Sequence, residues 1–395
     1  MRRKTGSAVL ARLVLAALLP GFALPAGAAK RVTLAQLEQA LSAAATAHKP
    51  DAEIARQLSG MELSERLTDA TLNRLNAPLE PGSAATLALA LLADQSAFLE
   101  PPAGELPQTA APADAEQRRM LEAARSYVAQ TLPRLPNFLA TRTINRYDDS
   151  PQTLKTNAWA VRAGLHLVGS SSREVSVRDE RENQPPTQDS ALWKEQTGLI
   201  SGGEFGSTLG MILNDTVQGS MTWSHWEQAA EGQTAVFRYA VPRSASHFEI
   251  MGSVQGRAAL EGHATPMGGR GVAGIGVTQS AAGSSKPHIV QSRPGYHGSL
   301  WLEPSSGTIL RITIEADAKD SAPFRRAALM VVYRPVQIGD GTYICPVRSL
   351  ALSDAFTDAE ALSGSAPTEW LNETLFTGYH RFAATTRILT EPAAP

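Results

Sequence analysis

The period of the hydrophobic pattern changes near Asn137. Before it, apolar residues recur at three- and four-residue intervals. After it they alternate, and period two over many short runs separated by turn residues predicts an antiparallel sheet. The clearest stretch is a hairpin. Residues 296–303 lead into Pro304-Ser305-Ser306-Gly307, and residues 308–317 return. On the return arm Leu310, Ile312, Ile314 and Ala316 are expected on one face, with Ile309, Arg311, Thr313 and Glu315 on the other. Glu303, Arg311 and Glu315 fit an outer, solvated face. Further strands are predicted at 138–147, 160–168, 174–178, 221–228, 234–241, 247–251, 288–291, 298–303, 309–317, 327–337, 342–352 and 373–382. Turns are expected at 169–172, 229–233 and 339–341.

The N-terminal part reads differently. Met1-Arg2-Arg3-Lys4, an apolar run at 13–19, Pro20, Pro25 and then Ala26-Gly27-Ala28 have the order of a secretory signal peptide, with cleavage after Ala28. The competing reading is an uncleaved anchor, but Arg12 interrupts the apolar run and its length is short for a span. No later segment is long and apolar enough to cross a bilayer. The expectation is an exported protein, in the periplasm or outside the cell, that is not an integral membrane protein after signal cleavage. Cys345 is the single cysteine, so no internal disulfide can form, and its apolar strand context predicts a buried small side chain.

Residues 29–99 predict a helical region. Thr33 and Gln36 form a capping-box pattern ahead of Leu34, Leu37 and Leu41. Asp51 and Ser64 are candidate caps for two short helices, Gly60 closes the first of them, and Ser83 starts a helix over 84–98. Residues 100–112 carry four prolines and read as a linker. The remainder, 113–395, reads as a helix over 113–132 followed by the sheet domain. A Gly/Ser-rich stretch at 253–287 is expected to be a flexible insertion. The expected class is α+β: a helical region, then a large curved antiparallel half-barrel with the apolar 203–213 helix on its concave face.

Motifs for chemistry are sparse. The net charge is −2, and no basic stripe suggests nucleic acid. Within Trp223-Ser224-His225-Trp226-Glu227, strand alternation puts Trp223, His225 and Glu227 on one face. That pair is a candidate general base or metal-ligand pair, and a histidine satisfied by its neighbours on an aromatic strand is the simpler explanation of it. Gly271-Val272-Ala273-Gly274-Ile275-Gly276 lacks the order of a nucleotide fingerprint, and Asp354, Asp358 and Glu360 miss the calcium-loop spacing. No cofactor and no metal site are predicted.

Leu135-Pro136-Asn137-Phe138, the 198–206 stretch, Trp223-Ser224-His225-Trp226-Glu227 and the 296–317 hairpin together resemble a family of uncharacterised secreted bacterial proteins. More distantly, Leu300-Trp301-Leu302-Glu303-Pro304 followed by Gly307 and Leu310-Arg311 resembles the hairpin of periplasmic LolA/RseB-like proteins. The resemblance implies a half-open barrel with helices on the concave face and binding of lipidated or other amphiphilic partners. Three functions are therefore expected as alternatives. The first is a non-enzymatic envelope protein holding a lipid, a lipoprotein or another amphiphile against Phe205, Leu209, Ile212, Leu310, Ile312 and Ile314. The second is an interaction module docking an envelope protein through the N-terminal helices. The third is a hydrolase or metal-dependent enzyme using His225 and Glu227.

Overall fold

The computed structural model describes residues 30–149, 164–178, 181–183, 198–199, 201–229, 232–254, 288–320, 324–356 and 367–381. The signal-peptide reading, the glycine fingerprint stretch, Asp358 and Glu360 lie outside these residues, as does the insertion apart from Ser253 and Val254. The N-terminal part runs β1 (Lys30–Val32), α1 (Leu34–Thr46), α2 (Asp51–Ser59), β2 (Met61–Leu63), α3 (Asp69–Asn76) and α4 (Ala84–Gln95). After α5 (Asp114–Thr131) come β3 (Phe138–Asp148), β4 (His166–Arg178), β5 (Arg181–Asn183), β6 (Gly198–Leu199) and α6 (Ser207–Asp215). The chain continues through β7 (Ser220–Ala229), β8 (Gly232–Val241), β9 (Ile250–Val254), β10 (His288–Ser292), β11 (Tyr296–Leu302) and β12 (Ile309–Ala316). It ends in β13 (Phe324–Ile338), β14 (Gly341–Ala355) and β15 (Thr368–Arg381).

The class is α+β. Ten strands form one open sheet in the order β5-β4-β3-β15-β14-β13-β12-β11-β8-β7, with antiparallel neighbours throughout. The ends of this sheet do not pair, so no closed barrel forms among the described residues. Consecutive hairpins explain most neighbours. The exceptions are β8, which pairs with β11, and β3, which pairs with β15 from Phe138 opposite Arg381 to Asp148 opposite Trp370.

Both faces of the sheet are covered. On one face, Met120, Ala124 and Val128 of α5 and Leu209, Ile212 and Leu213 of α6 pack against Phe237, Leu300, Ile312, Ile314, Leu329 and Val331. On the other, Leu91 of α4 and Ala97 pack against Tyr147, Met330, Leu350, Leu352 and Leu371. The helical layer keeps its own core of Leu34, Leu37, Leu58, Leu63, Leu67, Leu75, Leu89 and Leu92. A sheet with two covered faces is apolar on both, which explains the near-continuous apolar run from Ala327 to Val332.

Local signals account for the helix starts. Thr33 accepts from the Gln36 N–H while the Gln36 side chain accepts from the Thr33 N–H, the predicted capping box. Ser83 caps α4 through the Thr86 N–H. Asp51 is displaced from its expected role: α2 is preceded by Pro50, and the Asp51 carboxylate instead accepts from the Ala84 and Ala85 N–H groups of α4. Ser64 bonds the Val32 carbonyl, and Thr68 caps α3. The turn expected at 169–172 is absent. β4 runs unbroken through it, because residues Gly169 to Ser172 all find partners on β3. The helix expected from 203 begins at Ser207; Gly203 and Gly206 adopt positive φ and Glu204 turns inward. Residues 100–112 are tied down: the Ala110 carbonyl accepts from Trp226 Nε1, and Thr109 Oγ1 accepts from Gln233.

The 304–307 turn shows how tightly the hairpin seats. Glu303 accepts from the Ser305 and Ser306 N–H groups, and Gly307 has φ +73°. A Cβ on Gly307 would lie 2.3 Å from the Ala123 carbonyl carbon and 2.4 Å from the Ala124 nitrogen of α5. Gly307→Ala is therefore expected to destabilise by about 2 kcal/mol or more, read as a lowered urea midpoint with an unchanged slope. Ser306→Ala, which keeps every backbone conformation, should move it far less.

Candidate functional site

Two irregularities in the sheet reassign the predicted faces. In β7 the pairing shifts between Trp223 and His225. Trp223 and Trp226 then share the α5/α6 face, with ring centroids 4.8 Å apart, while His225 and Glu227 turn to the helical-layer face. The expected grouping of Trp223 with His225 and Glu227 is thus corrected by one bulged residue, Ser224. In β11–β12 the pairing shifts between Trp301 and Leu302, leaving Leu310 between the Arg311–Trp301 and Ile309–Leu302 pairs. Ile309 joins the α6 core and Leu310 turns with Arg311 toward the helical layer.

The six residues expected to line one apolar pocket therefore separate. Leu209, Ile212, Ile312 and Ile314 are packed together in the core, Ile212, Ile312 and Ile314 being fully buried. Phe205 caps another cluster, edge-on to Phe138 and Phe376 at 5.4 and 5.1 Å. Leu310 lies on the opposite side of the sheet. The lead-in to α6 is anchored by polar contacts: Glu204 lies 3.7 Å from Arg142 and accepts from Ser349 Oγ, and Asn372 donates to the Leu199 carbonyl at 2.8 Å. Cys345 is buried, and burial pushes its thiol up to about 12.

The open space lies on the other face. A cavity of about 770 Å³ sits between α3, α4 and the sheet. Its walls combine Leu67, Leu72, Ala93, Leu106, Leu310, Met330 and Val332 with Arg66, Arg311, Arg334 and Arg348. A cavity of about 200 Å³ adjoins it, sharing Arg66, Ala97, Pro101 and Trp301, and adding His225, His297, Arg238 and Glu315. Neither cavity touches α6.

Glu227 stands where the two cavities meet. Its Oε2 accepts from Arg66 Nη2 and from Trp301 Nε1 at 2.9 Å, and lies 3.3 Å from His225 Nε2. Burial raises this carboxyl, but the His225 hydrogen bond, the Arg66 charge and the Trp301 N–H outweigh it and hold it at about 2. Ser224 Oγ lies 2.8 Å from His225 Nδ1. With the imidazole proton on Nε2, His225 donates to Glu227 and accepts the Ser224 hydroxyl, so both ring nitrogens are engaged. Ser224 borders neither of these two cavities, whereas His225 and Glu227 do. Among the described residues no group of three or more His, Cys, Asp or Glu is placed to hold a metal ion.

The arginines differ in how they are compensated. Arg348 binds both oxygens of Asp94 at 2.8 and 2.7 Å, and its Nε donates to Glu373 at 2.7 Å. Arg66 has Glu227. Arg311 has no carboxylate at ion-pair distance among the described residues. Its Nη2 donates to the Ala97 carbonyl at 2.7 Å, its guanidinium lies 4.6 Å from the Trp301 ring centre, and its buried Nε–H has no partner among the described residues. Burial, and then the Arg66 charge, pull its guanidinium down to about 9. Sequence alternation located Arg311 on the face opposite Ile312, but the solvated surface expected there is covered by α3 and α4. Nothing in the sequence spacing announces that cover.

Asp94 gives the site a pH signature. Burial raises its carboxyl to about 6 despite Arg348, with Glu373 and Asp69 adding to the rise. The folded state then holds a proton that the unfolded chain has released, so stability increases as pH falls from above 6 toward the ordinary value of 3.8. Half-buried Glu369, Glu315 and Asp354 shift the same way. Glu227 acts oppositely: its contribution is complete above 4.5 and is lost as pH falls toward 2. Urea unfolding should therefore show higher stability at pH 5 than at pH 7.5 and a decline below pH 4. Asp94→Asn should flatten the rise between pH 7.5 and 5, where the Asp94 carboxyl contributes about 1.4 kcal/mol.

The chain matched no protein-family model, no curated protein and no solved structure.

Proposed function

We propose that this protein is a non-enzymatic binding protein that holds an amphiphile by an anionic group in the cleft between α3, α4 and the sheet. The observation that carries this reading is Arg311. A buried guanidinium without a counter-charge is unfavourable unless something supplies one. A carboxylate or phosphate reaching its free Nε–H supplies both charge and hydrogen bond, which suits the planar donor set of arginine. The mixed lining and the 770 Å³ volume fit the size and character of small-molecule sites, with Leu310, Met330 and Val332 for an apolar body. The basic, apolar and small-residue order of residues 1–28 supports export, which fits a carrier or sensor of envelope amphiphiles. The ligand class is the one suggested by the LolA/RseB-like hairpin, but the site lies on the opposite face from the α6 helix.

Titration calorimetry with decanoate and decanol tests this reading. Decanoate should bind, and decanol at least tenfold more weakly. Arg311→Gln should abolish the preference, and Arg311→Lys, which keeps a charge but loses the planar fork, should retain part of it. Equal affinity for acid and alcohol in the folded wild-type protein, or binding of neither, overturns it.

A further inference from the structure

We propose that the ligand of this cleft is zwitterionic, with an amine held by Glu315 at the end remote from the anion held by Arg311; this rests on the anion-binding reading of the larger cavity. The argument starts from β12. Arg311 and Glu315 lie on the same face of that strand, paired across β11 with Trp301 and His297. Four residues of strand separate their Cα atoms by about 13 Å, too far for the two side chains to neutralise each other as a contact pair.

Each is left without a direct counter-charge, and each borders a different one of the two adjoining cavities. Glu315 is half-buried and, among the described residues, has neither a hydrogen bond nor an ion pair. Arg326 and His297 are the cations that face it, and Glu100 the anion; none of them is at ion-pair distance, and burial raises its carboxyl. His297 is turned instead to Asp317 at 3.6 Å, and Arg238 of the same small cavity is paired with Glu100 at 2.6 Å. The remaining charge between the two positions is already compensated, because Arg66 is bound to Glu227.

Where β12 lines the two cavities it thus presents, among the described residues, one guanidinium and one carboxylate outside ion-pair distance of any counter-charge; Asp69 on α3 is a further carboxylate in the wall of the larger cavity. A molecule with an acid at one end and an amine at the other matches both. An anion alone leaves Glu315 as it is, and an amine alone leaves Arg311 unpaired. The shared wall of Arg66, Ala97, Pro101 and Trp301 is where the connecting apolar segment passes.

The test compares ω-amino carboxylates with plain carboxylates of the same carbon number, octanoate, decanoate and dodecanoate, by calorimetry at pH 7.5. A terminal ammonium is strongly hydrated and weakens binding to an apolar pocket, so a gain is diagnostic. One chain length of the ω-amino series should bind about tenfold tighter than its plain counterpart, the scale expected of one charge-assisted contact. In Glu315→Gln the two series should bind alike. If the carboxylates bind but the amine brings no gain at any length, or if the gain survives in Glu315→Gln, the zwitterion inference fails and the anion site stands. If no carboxylate binds, the anion site itself fails and the inference with it.

Discussion

The pairing of β3 with β15 is the constraint on which the rest of the architecture hangs. It joins the first long strand of the sheet to the last, so every hairpin between them must fit into one continuous antiparallel order. The pairing is also the most non-local one in the molecule. Closing such a loop costs entropy before any contact rewards it, so this ladder is expected to form late in folding. Once formed, it places β3 in the interior of the sheet and leaves β7 at one edge and β5, with the part of β4 that β5 does not cover, at the other.

A sheet with helices on both faces has two different jobs for its side chains. The α5/α6 face is a packed core whose polar groups serve the lead-in to α6, through Arg142, Glu204, Ser349 and Asn372. The helical-layer face is less completely filled. There α4 is bolted to the sheet by Asp94 with Arg348 and by Gln95 with Glu369, and the space between holds the arginines and Trp301. Buried ion pairs are a poor way to add stability, since desolvation offsets their attraction.

Much of the fold was legible in local patterns. Alternation located most of the longer strands but not the short β1, β2, β5 and β6, Thr33 with Gln36 and Ser83 located helix starts, and the turn at 339–341 joins β13 to β14 as expected. What escaped was set by tertiary context. Asp51 caps a helix more than thirty residues away. The bulges beside Ser224 and Leu310 each reverse which face a side chain joins, and period-two reasoning carries no signal for an added residue. His225 and Glu227 were found as a pair, but the partners that define them, Arg66 and Trp301, come from distant segments. The arginine-lined cavity exists because α3 and α4 lie over a strand face that reads as solvated.

The proline-containing segment between α4 and α5 has a role beyond connection. It leaves one face of the sheet, touches β7 and β8 through Ala110 and Thr109, and arrives on the other face as α5. In doing so it wraps the β7 margin, whose outward backbone groups would otherwise be a template for another molecule's strand. Prolines suit that position because they offer no N–H for ladder growth. The wrap therefore bears on colloidal behaviour: it lays chain over one margin of the open sheet, where another strand could otherwise add.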